Sequence, residues 1–313
     1  MSTGLDSDAL IALRRLRRHL TVWRLLAVAG FALAIFLGIR EGGVLPPEDH
    51  VARVPIEGII VDDPEFIGML DQIGDDASVK AVVADISSPG GTFTGGEAVY
   101  AALRRIGEKK PVVTVMGGLA TSGAYMAALG TDRIYAGYGT ITGSVGVIMQ
   151  SADVTGLMDK IGVKPEILKS GDLKATPNPM EQLAPPARDQ LQSVIDELHL
   201  RFMEMVSERR GMALVEVRER TGDGRIMTGR AAVDAGLVDA IGDINSARGW
   251  LAAERSVSED LPLLDWALDD PLAWWQDGAS SLASAFFGKS LLSERLRLDG
   301  IQALWQPSIS GGR

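Results

Sequence analysis

Short β-branched runs alternate with amphipathic helical stretches through the middle of this chain, and that alternation restricts it to an α/β architecture. Val54 to Val61 predicts a strand, Pro64 to Ile73 a helix, Val79 to Ile86 a buried strand, Glu97 to Ile106 a helix and Val112 to Met116 the next strand. Arg133 to Ala136 and Val145 to Met149 add strands, with a helix over Thr155 to Ile161. Repeated strand-helix-strand units imply a largely parallel sheet with helices outside it. Pro185 to Arg210 then predicts a long helical arm that opens with Pro-Pro, which suits the first turn of a helix. At 313 residues, 46% of them hydrophobic, the chain can bury one large core or a medium core with appendages.

The strand at Val112 to Met116 breaks into Gly117-Gly118-Leu119-Ala120-Thr121-Ser122-Gly123-Ala124-Tyr125, glycines followed by a small-residue helix. A hydroxyl at such a strand-to-helix turn is held clear of the sheet with helix N-terminal amides beside it, so Ser122 is a candidate nucleophile whose oxyanion would be stabilised there. No histidine accompanies it. His19 lies among arginines, His50 in a linker and His199 in a polar helical stretch, and the absence of cysteine removes a thiol nucleophile.

A different base is needed. Arginine keeps its proton, whereas lysine can act as a base when desolvated; of the 31 basic residues only eight are lysines. Lys80, Lys109 and Lys110 flank strands, Lys160, Lys164 and Lys169 punctuate a polar connection, and Lys289 is in the C-terminal tail. Lys174 stands apart in Ser170-Gly171-Asp172-Leu173-Lys174-Ala175-Thr176-Pro177, a loop of turn formers with no second cation beside it.

Four ordered motifs, Ser88-Pro89-Gly90-Gly91, Ser122 in its glycine turn, Gly143-Ser144-Val145-Gly146-Val147, and Lys174 followed by Gly224-Arg225-Ile226-Met227-Thr228-Gly229, resemble the bacterial signal peptide peptidase A family over about Val54 to Ala253. The resemblance implies a Clp protease and crotonase type of fold, a spiral of βα units. It further implies Ser122 as nucleophile, Lys174 as general base, Ser144 as the hydroxyl that orients the lysine amine, and the amides of Gly91 and Gly123 as the oxyanion hole, with Gly90 able to take its neighbour's place. No cofactor or metal is implied. A single copy of the catalytic unit resembles the short form of the family, in which serine and lysine come from adjacent subunits of a homo-oligomer.

Each element alone has a plainer reading. A serine before glycine at a helix start is commonly an N-cap, Ser88-Pro89-Gly90-Gly91 and Ser144 suit ordinary turns, and Lys174 suits a solvated loop. Their order and spacing are what the plainer readings leave unexplained. The Gly224 to Gly229 stretch predicts a strand and then a helix capped at Thr228, a structural role.

The chain divides into a basic N-terminus (1–21), an apolar anchor (22–39), a linker (40–53), a peptidase domain (54–254) and a Trp-rich extension (255–313). The uncharged run Leu25 to Ile39 spans about 22 Å as a helix, nearer 27 Å with Val22 to Arg24 included, enough for a thin bilayer. Arg14, Arg15, Arg17, Arg18 and Arg24 precede it, so the N-terminus is expected in the cytoplasm and the catalytic domain on the other side of the inner membrane. A cleaved signal peptide is the rival, but Leu37 to Gly43 offers no small-x-small site.

The net charge of −10 becomes −14 once the +4 of residues 1–40 is set aside, which argues against nucleic acid as a partner. No metal-ligand spacing, phosphate loop or internal repeat occurs. The extension carries Trp266, Trp274, Trp275, Trp305 and Phe286-Phe287, read as a packing arm, with an interfacial helix as the alternative. The expectation is a membrane-anchored serine endopeptidase with a Ser/Lys dyad that cuts hydrophobic peptides, chiefly cleaved signal peptides. A catalytically silent peptide-binding scaffold and a crotonase-type acyl-CoA enzyme are the alternatives.

Overall fold

The computed structural model describes residues 23–31 and 48–268. The first segment is a solvent-exposed helix, α1 (23–31); the remainder of the predicted anchor lies outside the described residues. Among those described, no helix is long and apolar enough to cross a membrane.

The second segment runs β1 (His50–Ile60), α2 (Pro64–Asp75), β2 (Val79–Gly91), α3 (Phe93–Gly107), β3 (Val112–Thr121), α4 (Gly123–Ala128), β4 (Arg133–Ala136), β5 (Ile141–Gly143), α5 (Thr155–Ile161), α6 (Pro185–Arg210), α7 (Leu214–Thr221), β6 (Ile226–Thr228), α8 (Gly229–Asp234), β7 (Ala240–Ile241), α9 (Ile244–Arg255) and β8 (Leu263–Asp265). The strands form one sheet in the order β6-β5-β3-β2-β1-β8, with β4 beside β3 and β7 beside β4. All pairings are parallel except β5 with β6. The α/β expectation therefore holds.

β2 has an almost unbroken apolar run because both of its faces are covered. Val82, Ala84 and Ile86 pack with Leu70 and Ile73 of α2, Leu103 and Ile106 of α3, and Tyr125 of α4. Ala81 and Val83 face the other way, onto Ala247 and Leu251 of α9. The starts of the helices are written in the sequence: Asp63 caps α2 by accepting from the Glu65 and Phe66 amides, with Pro64 at the first position. Lys110, read only as a strand flank, donates to Ile73 O at 2.9 Å and Asp76 O at 2.6 Å and so satisfies carbonyls at the end of α2.

The sheet forks at Gly117-Gly118. Val113 to Met116 of β3 pair with β4, whereas Leu119 to Thr121 pair with β5. The Ser122 turn stands at the end of the β5-paired half.

Three expectations need correction. Val145 to Met149 is not a strand: it has no ladder partner, Ile148 is 86% exposed, and the strand is instead the shorter Ile141–Gly143. The sheet also takes in His50 to Arg53, assigned above to the linker. It reaches Leu263–Asp265, assigned to the extension, through the parallel pairing of β8 with β1. Trp266 donates its indole N–H to His50 Nε2 at 3.1 Å, the two rings lying edge to edge and 12° from parallel, which explains why a histidine there is buried. Trp274, Trp275, Trp305 and Phe286-Phe287 lie outside the described residues.

Candidate active site

Ser122 caps α4 with φ 54° and ψ −121°, a conformation that an L residue adopts only under constraint. Two backbone bonds impose it. The Ser122 amide donates to Gly143 O at 2.9 Å, and its carbonyl accepts from the Met126 amide at 2.9 Å, closing the first turn. The side chain makes no capping bond, so the hydroxyl is not spent on the helix and the N-cap reading does not account for it. Ser122 remains partly exposed at the head of a helix whose own residues are all buried.

The glycines of the upstream motif come to the same point. Ser88-Pro89-Gly90-Gly91 forms the end of β2 rather than a turn. Gly90 has φ 98°, and a Cβ placed on it would stand 2.7 Å from Thr121 O, 2.8 Å from Gly123 N and 3.0 Å from Ser122 Cβ. A Cβ on Gly91 would stand 1.8 Å from Ile60 O. Only glycine fits either position. The Thr92 amide donates to Ile60 O across the β1 side, so the preceding Gly91 amide faces the opposite side, where Gly123 lies; a Cβ on Gly123 would be 3.3 Å from Gly91 N. Gly123, first residue of α4, has an amide with no intrahelical acceptor. The structure thus brings Ser122, Gly90, Gly91 and Gly123 together.

Ser144 follows β5 with φ 53°, its amide donating to Arg225 O at 2.8 Å. The Gly224 to Gly229 stretch therefore acts from the β6 side as support for the Ser144 turn. Its predicted strand and helix are present, with Thr228 Oγ1 accepting from the Ala231 amide. Arg225 also pairs with Asp223 and holds that carboxyl down to about 2.

Lys174 makes no hydrogen bond to any of these groups within the described residues. It sits exposed in its loop, its amide donating to Gly171 O at 3.0 Å, and its side chain has no hydrogen bond or ion pair among the described residues. The next residue, Ala175, has φ 60°. Ser122, Ser144 and Ala175 are three of the four non-glycine residues with positive φ among the described residues, so backbone strain collects at the serines and beside the lysine.

Other polar groups lie elsewhere. A cavity of about 540 Å³ is lined by Met149, Asp153, Glu181, Arg188, Leu191 and Ile195 among others, and by none of the serine-site residues. The histidines within the described residues have other placements: His50 serves Trp266, and His199 lies on α6. No group of three or more histidine or acidic side chains able to hold a metal occurs among the described residues. Sequence reasoning gave no role to Ser88 and Thr121, two hydroxyls tied into the glycine segment; their only signal was membership of the motifs.

A family model described as Peptidase family S49 matches residues 104–258, which include Ser122, Ser144 and Lys174. A "Putative protease" of Synechocystis sp. is 34% identical over 71% of this chain and 79% of its own length. The chain belongs to peptidase family S49. A "Putative signal peptide peptidase SppA" of Enterococcus faecium is 30% identical over 67% of this S49 chain and 64% of that protein. "Protease 4" of Haemophilus influenzae is 34% identical over 75% of the chain and 39% of that protein. This S49 protein is a serine endopeptidase resembling signal peptide peptidase A, which sets aside the acyl-CoA enzyme and the silent scaffold.

Proposed function

We propose that this S49 peptidase hydrolyses hydrophobic peptides, chiefly cleaved signal peptides, through an acyl-enzyme on Ser122 with Lys174 of a neighbouring copy as general base. The observation that carries the reading is the uncommitted Ser122 hydroxyl, held at positive φ, beside glycine amides on two sides. In this mechanism the Lys174 amine takes the Ser122 proton as the oxygen attacks the peptide carbonyl. The Gly91 and Gly123 amides receive the oxyanion, and the proton passes to the departing amine. Water then enters, is deprotonated by the same amine and releases the acyl group. Ser144 holds the lysine in line.

A shared site is supported by the arm that carries Lys174. The helix α5 has no buried residue, and Ile148, Leu157, Ile161 and Leu168 are all more than half exposed on the same connection. A helix that short does not persist in water without a packing surface, and a second copy of the chain supplies one. The forked sheet supports the Clp and crotonase spiral as the architecture. The apolar run Leu25 to Ile39 and the arginines before it support a single anchor with the catalytic domain outside the cytoplasm. An anchor of this kind would hold the site near apolar peptides left at the bilayer.

A serine-directed fluorophosphonate probe tests the dyad: it should label the wild type, fail on Ser122→Ala and label Lys174→Ala weakly. Labelling that survives both changes removes the dyad. Co-assembled Ser122→Ala and Lys174→Ala chains, each inactive alone, should regain part of the activity. No recovery from verified mixed oligomers would return both groups to one subunit.

A further inference from the structure

The glycine segment that would bind the oxyanion is held by side chains where the sheet lets go of it. The β1–β2 register slips between Glu57 and Ile59, and the β2–β3 register slips between Ile86 and Ser88. On the β1 side Ser88 and Pro89 have no partner, and on the β3 side no residue after Ser88 has one, so at Pro89 the main chain leaves the regular ladder on both sides. Two hydroxyls replace it. Thr121 Oγ1 donates to Pro89 O at 3.0 Å, and the Gly90 amide donates to Ser88 Oγ at 3.0 Å, so both ends of the Pro89–Gly90 peptide are gripped. Ser88 Oγ gives its own proton to Gly58 O at 2.6 Å, where β1 turns through φ 68°. That uses the hydroxyl once as donor and once as acceptor. Ser88 is fully buried and Thr121 7% exposed, so water cannot substitute for either.

Resting on the assignment of Ser122 and Gly91 above, we infer that Ser88 and Thr121 are positioning residues that aim the Gly91 N–H at the oxygen that becomes negative. The reason is conformational freedom. Gly90 at φ 98° has no Cβ to restrict it, and a turn of the Pro89–Gly90 peptide would swing the Gly91 amide away from Ser122. Pro89 offers no amide of its own to anchor the segment. Thr121 is also the residue before Ser122, so one side chain fixes the distance between nucleophile and oxyanion donor.

The test compares a peptide aldehyde, which forms a tetrahedral oxyanion on Ser122, with the matching peptide alcohol, which does not. Binding is measured on the full chain in detergent. Wild type should prefer the aldehyde, and Ser122→Ala should abolish the preference; a preference that survives Ser122→Ala overturns the assignment of the nucleophile itself. Thr121→Val should lower the aldehyde-to-alcohol affinity ratio by about 10-fold or more, since misplacement of a donor by an ångström reaches about 100-fold. Thr121→Ser, which keeps the hydroxyl, should restore the ratio. An unchanged ratio in Thr121→Val, or equal loss of both ligands, overturns the positioning role. If the valine variant does not fold, a crystal structure of the wild-type aldehyde adduct decides: the oxygen should lie about 3 Å from Gly91 N with the Thr121–Pro89 bond intact. An oxygen turned away from Gly91 overturns the inference.

Discussion

Replacing Ser122 with glycine should make the protein more stable while silencing it. The residue holds φ 54° and ψ −121°, and its hydroxyl makes no capping bond, so the side chain brings strain to the fold and no visible compensation. A non-glycine residue in such a region is disfavoured by about 1–3 kcal/mol. Glycine removes that term but adds roughly 0.5–1 kcal/mol of backbone entropy to the unfolded chain. The difference leaves a net gain of up to about 2.5 kcal/mol. At about 2–4 °C per kcal/mol for a domain of this size, the Tm should rise by up to roughly 10 °C. Ser122→Ala keeps the Cβ and hence the strain, so it should stay within about 0.5 kcal/mol of wild type. Thermal and urea unfolding of the three proteins at one concentration gives the comparison, with peptide cleavage measured alongside. Both variants should be inactive. A glycine variant no more stable than the alanine variant would refute the claim that the turn stores strain for the sake of the hydroxyl.

Gly91→Ala should lose roughly 3 kcal/mol or more, because its Cβ would stand 1.8 Å from Ile60 O and backbone has to move; Gly118→Ala, with nothing within 4 Å, should be tolerated, and denaturant midpoints of the two separate them. Acid should unfold the protein through its depressed carboxylates. Asp76 is held below the ordinary carboxylate range by Ser78, whose hydroxyl and amide donate to it at 2.6 and 2.8 Å. Its folded value lies below the unfolded one, so its contribution is intact above about pH 5 and is lost as pH falls past the unfolded 3.8 toward the lower folded value. Tm measured against pH should therefore drop on that acid limb, and more shallowly in Asp76→Asn; an identical limb in the variant would remove Asp76 as a contributor.

The elements that periodicity located are those whose side chains carry the pattern. Pro185–Arg210 and Thr155–Ile161 were legible to their ends, since Gly211 and Gly162 stop them in left-handed caps. β2 and β3 run on past their β-branched cores, through Ser88 to Gly91 and Gly117 to Thr121, because main-chain pairing continues where side chains supply no signal. Val145 to Met149 misled for another reason: Val145 is buried in the core while Ile148 and Met149 are exposed, so the apolar run does not mark a single paired strand. The glycine motifs announced a site because close backbone approach demands them. The hydroxyls of Ser88 and Thr121 were invisible, since nothing in a sequence says which peptide a buried serine will grip. Under the shared-site proposal, the placement of Lys174 depends on more than one chain.

His50 and Trp266, near the two ends of the described segment, lie side by side at the start of β1. Ile60, at the other end of β1, pairs with Gly91 beside Ser122. Ten residues of extended chain separate His50 from Ile60, about 33 Å at the usual rise. The first and last strands of the described sheet, β1 and β8, thus meet at the end of β1 remote from Ser122, and the whole length of β1 lies between that meeting point and the nucleophile.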